Sequence, residues 1–482
     1  MYLDRGAILK ALGNRPGAAA VKFGLPLLAF AAVLFAATPA DLTEQGQRAL
    51  AVMALAVGFW ATGALPLAVT GIAAMVLLTL VGAVPDIEAA LYGFSQPVPY
   101  FLIGILTLGL GVQQSGLAGR LAGWLIHLSR GSPRALYAQM LLAFAALTFA
   151  LPSAGTRGAI LVHVYEQVMG RWNIAREHPL NKAVMMAMGS LNRLGSTALL
   201  AGGITPVVAS ALIGDFSWTH WFVLMALPFW SILVLGGLAV FLLYRSGFTG
   251  IPVTGHDSNG EMSPGKLRPE EVRAGLITIG VALLWFTDFA HGMSPAIPAL
   301  IAMVVMLLPG IGLLSWRTFE KNLGWSNFFI IATSLSLSGA LVESGAAAWF
   351  AGTLVSAVGG IGDSPWLLLL AMSSAAAVVR FVMPNIAGYL AFIIPVSMST
   401  ASTLGLNPML CGLAVVIVGD SVVYYPAASA GSVFIYQRAD ISAPEVLRTG
   451  IIMTLVAVAV LFVIAVPYWG AVGEGLTAAP GS

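Results

Sequence analysis

Long apolar runs separated by short polar interruptions make up most of this chain. A bilayer core of about 30 Å is crossed by about 20 apolar residues in a helix. Runs of that order lie near residues 22–39, 49–65, 67–84, 100–126, 219–245, 271–289, 295–314, 326–356 and 446–470. Two longer stretches, 135–213 and 364–436, are interrupted by Gly, Pro, Ser and Asn, as in Ser153-Ala154-Gly155-Thr156 and Pro384-Asn385. Breaks in a membrane helix free backbone polar groups, which are tolerated only where they line a cavity. The pattern predicts an all-α polytopic membrane protein with about eleven transmembrane helices and one re-entrant hairpin in each half.

Composition agrees. The chain is 59% hydrophobic and 9% charged, against about 25% charged in a soluble globular protein, so the lipid bilayer must be the solvent for most of its surface. The net charge of +2 and the absence of a basic block exclude a nucleic-acid partner. Cys411 stands alone in an apolar run and reads as a small core residue, with no disulfide framework or Cys-rich metal site. His127, His163 and His178 show no metal spacing. Arg5, Lys10, Arg15 and Lys22 precede the first apolar run, and Ala-Thr-Pro-Ala follows it, which resembles a secretory signal. Because further apolar segments follow at once, a first transmembrane helix is the preferred reading.

The positive-inside rule sets the orientation. With the amino end in the cytoplasm, Arg120, Arg130, Arg134, Arg171, Arg176, Lys182, Arg245, Lys266, Arg268, Arg273, Arg317, Lys321, Arg438 and Arg448 all fall inside. Asp41, Glu44, Asp215, Asp288 and Asp363 fall outside, with Arg48 the exception, and the carboxyl tail lands outside. An inner-membrane location follows.

The chain also resembles itself. Tyr100-Phe101-Leu102-Ile103 running to Ser115-Gly116-Leu117-Ala118 is echoed by Asn327-Phe328-Phe329-Ile330 running to Ser344-Gly345-Ala346-Ala347, Ser344 standing 229 residues after Ser115. Pro152 and Pro384 stand 232 apart, and Ala201-Gly202-Gly203 and Ala430-Gly431-Ser432 stand 229 apart. Inverted repeats with broken helices at matching places put a binding site near the midplane. The division expected is an amino-terminal segment and first helix (1–48), a first inverted repeat (49–246), a cytoplasmic linker (247–270), a second inverted repeat (271–470) and a tail (471–482).

Four polar clusters fall in the breaks: Pro152 to Arg157, Pro384 to Gly388, Asn192 to Pro206 and Tyr425 to Ser432. Together they offer helix amino termini, unwound carbonyls and short hydroxyl or amide side chains, as a carboxylate or small ion requires. Ser, Thr and Gly at any one of these positions also serve close helix packing. Charges at depth are costly and carry more information. Arg157, Arg193 and Arg380 flank the breaks, and Asp420 lies where the last broken helix turns polar. Arg193 and Asp420 occupy nearly equivalent repeat positions and are expected to form a buried ion pair, structural or functional. Arg157 is expected near an anionic substrate. Asp420 is the one good membrane-embedded carboxylate for an ion permease or antiporter. An intramembrane enzyme is disfavoured, since no Ser-His-Asp order, paired aspartates or His-Glu-x-x-His occur.

Two further stretches carry a family likeness. Leu65-Pro66-Leu67-Ala68-Val69-Thr70 precedes an apolar helix ending in Val81-Gly82. Leu406-Asn407-Pro408 leads to Pro426-Ala427-Ala428-Ser429, then Val433-Phe434, a turn from Glu445 to Gly450 and a last helix ending Pro467-Tyr468-Trp469. In order and spacing, from about Leu65 to Trp469, the chain resembles the divalent anion:sodium symporter family. The resemblance implies an elevator-type secondary transporter with a scaffold that dimerises, substrates such as succinate, malate, citrate or sulfate, and sodium as the driving ion. No other cofactor is implied. It puts substrate at Ser153, Thr156, Arg157, Asn385, Ser429 and Ser432, and sodium at Ser153, Asn192, Gly202, Asn385 and Ala428. The chain departs from the family where Ser-Asn-Thr tips read Pro152-Ser153-Ala154 and Pro384-Asn385-Ile386, where Thr-Pro-Pro-Asn reads Ser429 to Ser432, and where an acidic residue before Leu65 is Gly63 or Ala64. These changes thin out the oxygen ligands a hard cation prefers. They leave a sodium-independent anion exchanger, with Arg157 supplying part of the missing charge, as the alternative.

Overall fold

The computed structural model describes residues 16–127, 132–149, 151, 154–214, 216–249, 266–357, 364–426 and 430–477. Among these the chain is helical, with no β-strand and one isolated bridge, Leu406 to Thr477. Six helices are long and apolar enough to cross a bilayer: Pro97–Ser115, Trp218–Leu243, Ser326–Glu343, Pro365–Val382, Ile386–Thr403 and Ala443–Ala471. Shorter apolar helices such as Leu67–Leu80, Ile204–Ile213, Ala296–Leu307 and Pro408–Asp420 fill out the rest. The chain is a multi-pass membrane protein. Its outward residues agree, since Leu80, Val234, Leu276, Leu455 and Val463 are all exposed, which water would penalise and lipid does not.

Local chemistry starts the helices. Pro stands in the first turn of Pro97–Ser115, Pro133–Ala146, Pro179–Ser190, Pro365–Val382 and Pro408–Asp420, where its missing N–H costs nothing. Side-chain caps precede several of them. Asn407 Oδ1 accepts from the backbone N–H of Met409 at 3.0 Å, and Ser132 Oγ accepts from Ala135. Ser442 and Glu445 form a reciprocal capping box.

In chain order, Leu67–Leu80 and Pro97–Ser115 are followed by the helix pair Pro133–Ala146 and Ala154–Arg171 and by the broken helix Pro179–Ser190, Asn192–Thr197 and Ile204–Ile213. Ala296–Leu307 and Ser326–Glu343 are followed by the helix pair Pro365–Val382 and Ile386–Thr403 and by the broken helix Pro408–Asp420 and Ala430–Tyr436. Trp218–Leu243 and Ala443–Val460 pack on each other. The halves interlock elsewhere too: Pro97–Ser115 packs on Ala296–Leu307, Leu67–Leu80 on Ser326–Glu343, and Pro179–Ser190 on Ala430–Tyr436.

Candidate functional site

The backbone groups freed at the breaks are satisfied by side-chain donors, as burial in a membrane protein demands. Trp221 Nε1 donates to Thr197 O at 3.1 Å, and Trp230 Nε1 to Gly195 O at 3.4 Å. Ser196 Oγ turns back to Arg193 O at 2.7 Å. Three arginines do the same work with charge. Arg157 Nη2 donates to Asn192 O at 2.6 Å, Arg380 Nε to Gly419 O at 2.9 Å, and Arg193 Nη2 to Val422 O.

Around these breaks lies a cavity of about 360 Å³, within the range of small-molecule sites. The amino ends of three helices, Ala154–Arg171, Ile204–Ile213 and Ile386–Thr403, contribute Ala154, Gly155, Ile204, Thr205 and Ile386 to its wall. Such termini carry unpaired N–H donors and a partial positive charge. The side chains of Asn192, Arg193, Ser196, Thr197, Asp420 and Ser432 add polar groups, and Leu102, Ile105, Phe434 and Ile435 an apolar side.

Gly202 and Gly203 make the break before Ile204. A Cβ on Gly202 would fall 1.7 Å from Ser196 O, so no side chain fits there. Gly203 takes φ 152° with ψ −163°, a region open in practice to glycine alone. The chain reverses tightly enough to aim the helix amino end at the cavity.

Of the residues singled out by sequence, the structure brings Asn192, Arg193, Gly202, Asp420 and Ser432 to the cavity wall. Ser432 Oγ also donates to Gly189 O at 3.3 Å. Arg157 stands behind the wall. It is fully buried, and Nε donates to Asn192 Oδ1 at 2.7 Å while Nη1 donates to Leu151 O at 2.9 Å. Arg157 is absent from the cavity lining, and three of its five N–H groups go to protein oxygens. Thr156 and Asn385 lie on the helix pairs outside the lining, and Asn385 Oδ1 caps its helix through Ala387 N at 3.0 Å. Ser153, Ala428 and Ser429 lie outside the described residues.

The expected Arg193–Asp420 ion pair is corrected, for the two are not among the ion pairs of the described residues. Asp420 ends its helix with the carboxylate turned to two hydroxyls, accepting from Thr197 Oγ1 at 2.6 Å and Thr205 Oγ1 at 2.9 Å. Asn327, at the head of Ser326–Glu343, joins the lining from the far side. Sequence reading missed it as a site residue, although it opens the second copy of the internal repeat.

A membrane-embedded cavity ringed by helix amino ends at paired breaks defines the class: a membrane carrier for a small polar solute. Comparison with known proteins places it further. The family model described as "Sodium:sulfate symporter transmembrane region" matches residues 18–474, and the chain belongs to that family. A "Membrane protein" of Cupriavidus necator is 22% identical over 463 residues, covering 91% of this chain and 90% of that one. The L-tartrate/succinate antiporter of Escherichia coli strain K12 is 22% identical over 390 residues, covering 78% of this chain and 79% of that one. The chloroplastic dicarboxylate transporter 1 of Arabidopsis thaliana is 24% identical over 371 residues, covering 73% of this chain and 64% of that one. Among solved structures, the YdaH transporter of Alcanivorax borkumensis superposes with a TM-score of 0.49 at 15% identity, covering 80% of this chain and 89% of that one.

Proposed function

We propose that this chain is a secondary transporter of small divalent anions, with short dicarboxylates the favoured cargo, working in the inner membrane as an elevator. The observation that carries the reading is the cavity itself. Three helix amino ends and the Arg193 guanidinium meet around it, and Arg193 Nε is buried without a partner. Unpaired donors grouped in this way favour a carboxylate or sulfate over a cation or a neutral solute. Two relatives named for tartrate, succinate or dicarboxylate transport support the same class of cargo.

In this reading the helix pairs, the broken helices and the two closing helices move as one carrying unit. The helices Glu44–Thr62, Leu67–Leu80, Pro97–Ser115, Pro269–Phe286, Ala296–Leu307 and Ser326–Glu343 form the fixed scaffold, which is also the surface for a homodimer. Leu102, Ile105 and Asn327 on the scaffold and Asn192, Ser432 and Ile435 on the carrying unit all line the cavity. A vertical slide of one against the other would carry the occupant from one face to the other. Residues 49–246 and 271–470 are the two inverted repeats, the amino end is cytoplasmic and the carboxyl end outside.

Asp420 is the residue an ion permease or antiporter would use. Its two oxygens already accept from Thr197 and Thr205, which suits a structural carboxylate better than a proton handle.

The test is uptake of radiolabelled succinate into proteoliposomes that hold the purified chain and are preloaded with unlabelled succinate. Saturable uptake, displaced by unlabelled malate, tartrate or sulfate and not by acetate, is the expected result. Absence of uptake for every dianion in every salt, with intact folded protein, would sink the reading.

A further inference from the structure

Arg157 and Arg380 hold matching oxygens in the two halves of the chain. Arg157 Nη1 donates to Leu151 O and Arg380 Nη1 to Met383 O. Leu151 and Met383 stand 232 positions apart, the same interval as Pro152 and Pro384, and each is the residue just before its helix-pair tip. The second contact of each guanidinium also matches in kind. Arg157 reaches Asn192 O at 2.6 Å and Arg380 reaches Gly419 O at 2.9 Å, both near the first break of a broken helix. The two arginines sit at non-equivalent positions, one on the second arm of its pair and one on the first. Different sequence routes thus deliver a fixed positive charge to the same kind of place.

Arg157 has no acidic partner among the described residues, while Arg380 feels Asp420, the residue after the Gly419 carbonyl it holds. Both side chains are buried, at 0% and 3% exposure. Neither takes part in an ion pair among the described residues. A buried cation without a counter-charge is costly, and an anion in the neighbouring cavity would balance it.

The family name implies sodium, so the residues present have to be tested against that ion. Asn192, expected to be a ligand, gives both its oxygens to Arg157: Oδ1 at 2.7 Å and the carbonyl at 2.6 Å. Asn385, its expected partner in the second half, spends Oδ1 on capping its own helix. Sodium brought to Leu151 O and Asn192 O, or to Met383 O and Gly419 O, would meet a guanidinium already bonded to those oxygens. Like charges so placed repel strongly in a low-dielectric interior. Among the described residues, the oxygens of Leu151, Asn192, Met383 and Gly419 do not fit the ion.

We infer that this chain carries its anion without sodium, Arg157 and Arg380 supplying in permanent form the positive charge that a co-transported cation would bring. The inference rests on the anion-carrier reading above. A carrier with fixed internal charge has no cation gradient to draw on, so it runs as an exchanger of one anion against another.

Two measurements on the full-length chain test this and separate it from the parent reading. The first is labelled succinate uptake into proteoliposomes preloaded with unlabelled succinate, in sodium chloride against choline chloride. Equal initial rates, and loss of uptake when the lumen holds no anion, are expected. Uptake that occurs only with sodium overturns the inference while leaving the carrier reading standing. The second needs no substrate: the thermal midpoint of the detergent-purified chain in sodium, potassium and choline chloride. A sodium site half-filled at about 1 mM would raise the midpoint by a few degrees at about 100 mM. A sodium-specific rise of that size overturns the inference even if no cargo is found, and coincident midpoints support it. Arg157→Lys, which keeps the charge, is expected to retain more exchange than Arg157→Gln, which keeps hydrogen bonding alone. Equal exchange by the two variants, each checked for a monodisperse folded peak, would remove the role assigned to charge.

Discussion

Arg193 donates from Nη2 to the carbonyl oxygen of Val422, and the two residues stand 229 positions apart, the interval at which the chain repeats itself. An arginine within the first broken helix thus satisfies a carbonyl just past the end of Pro408–Asp420. Arg193 also lines the cavity, so one guanidinium joins the halves and offers charge to the cargo.

Arg193→Gln should therefore weaken cargo binding. Hydrogen bonds to a charged partner contribute about 1.5–3 kcal/mol, which corresponds to roughly a 10–100-fold rise in KM for succinate. Arg193→Lys should fall between, because an ammonium cannot reproduce the fork of a guanidinium. Initial rates of uptake against concentration give the answer, and an unchanged KM in both variants would take Arg193 out of the site.

Asp420 should act through its two threonines. Removing one hydroxyl from a buried carboxylate costs about 1.5–3 kcal/mol, so Thr197→Val and Thr205→Val should each lower the thermal midpoint. In an Asp420→Asn background the same substitutions should cost visibly less. A double-mutant cycle on thermal midpoints measures this. Additive effects would mean that the hydrogen bonds contribute nothing as a unit.

Gly202→Ala should abolish uptake. Its Cβ would lie 1.7 Å from Ser196 O and 2.5 Å from Ser196 C, both backbone atoms with nowhere to go. The break must open or shift, and a displacement of about 1 Å at a binding group is enough to lose some 10²-fold in rate. Fluorescence-detected size exclusion will show whether the variant still folds, and uptake by the folded fraction decides the matter. Wild-type rates would show that the break is not part of the site.

Much of this architecture was legible because a membrane restricts the choices. Apolar runs with Pro and Gly at the breaks were enough to read the all-helical class. Asn192, Gly202 and Ser432, singled out for their place at the breaks, all line the cavity. What sequence could not supply was direction. Arg157 was expected beside the cargo, yet it bonds Asn192 and Leu151 and does not line the cavity. Arg193 and Asp420 are near-equivalent in the repeat, yet each finds a closer partner. Side-chain aim depends on which carbonyls the break leaves unpaired, and that is a tertiary property. Asn327 escaped notice for a related reason, since it enters the cavity from a different helix, far from any break.

The elevator reading makes its own demand on the cavity wall. Leu106 lies on Pro97–Ser115 and Ile435 on Ala430–Tyr436, and both border the cavity. If the first belongs to the scaffold and the second to the carrying unit, a covalent bridge between them must stop the cycle. The lone native thiol, Cys411, is buried and can be replaced by alanine to give a clean background. In that background, Leu106→Cys with Ile435→Cys should lose most uptake on treatment with a short bifunctional maleimide. Lys182 and Glu445 provide the control, since their side chains meet at 3.0 Å between two helices of the carrying unit. That partly exposed pair contributes at most about 1 kcal/mol, so Lys182→Cys with Glu445→Cys should fold, cross-link and keep transporting. Arrest by both bridges, or by neither, would mean that the two groups of helices do not slide past one another as rigid bodies.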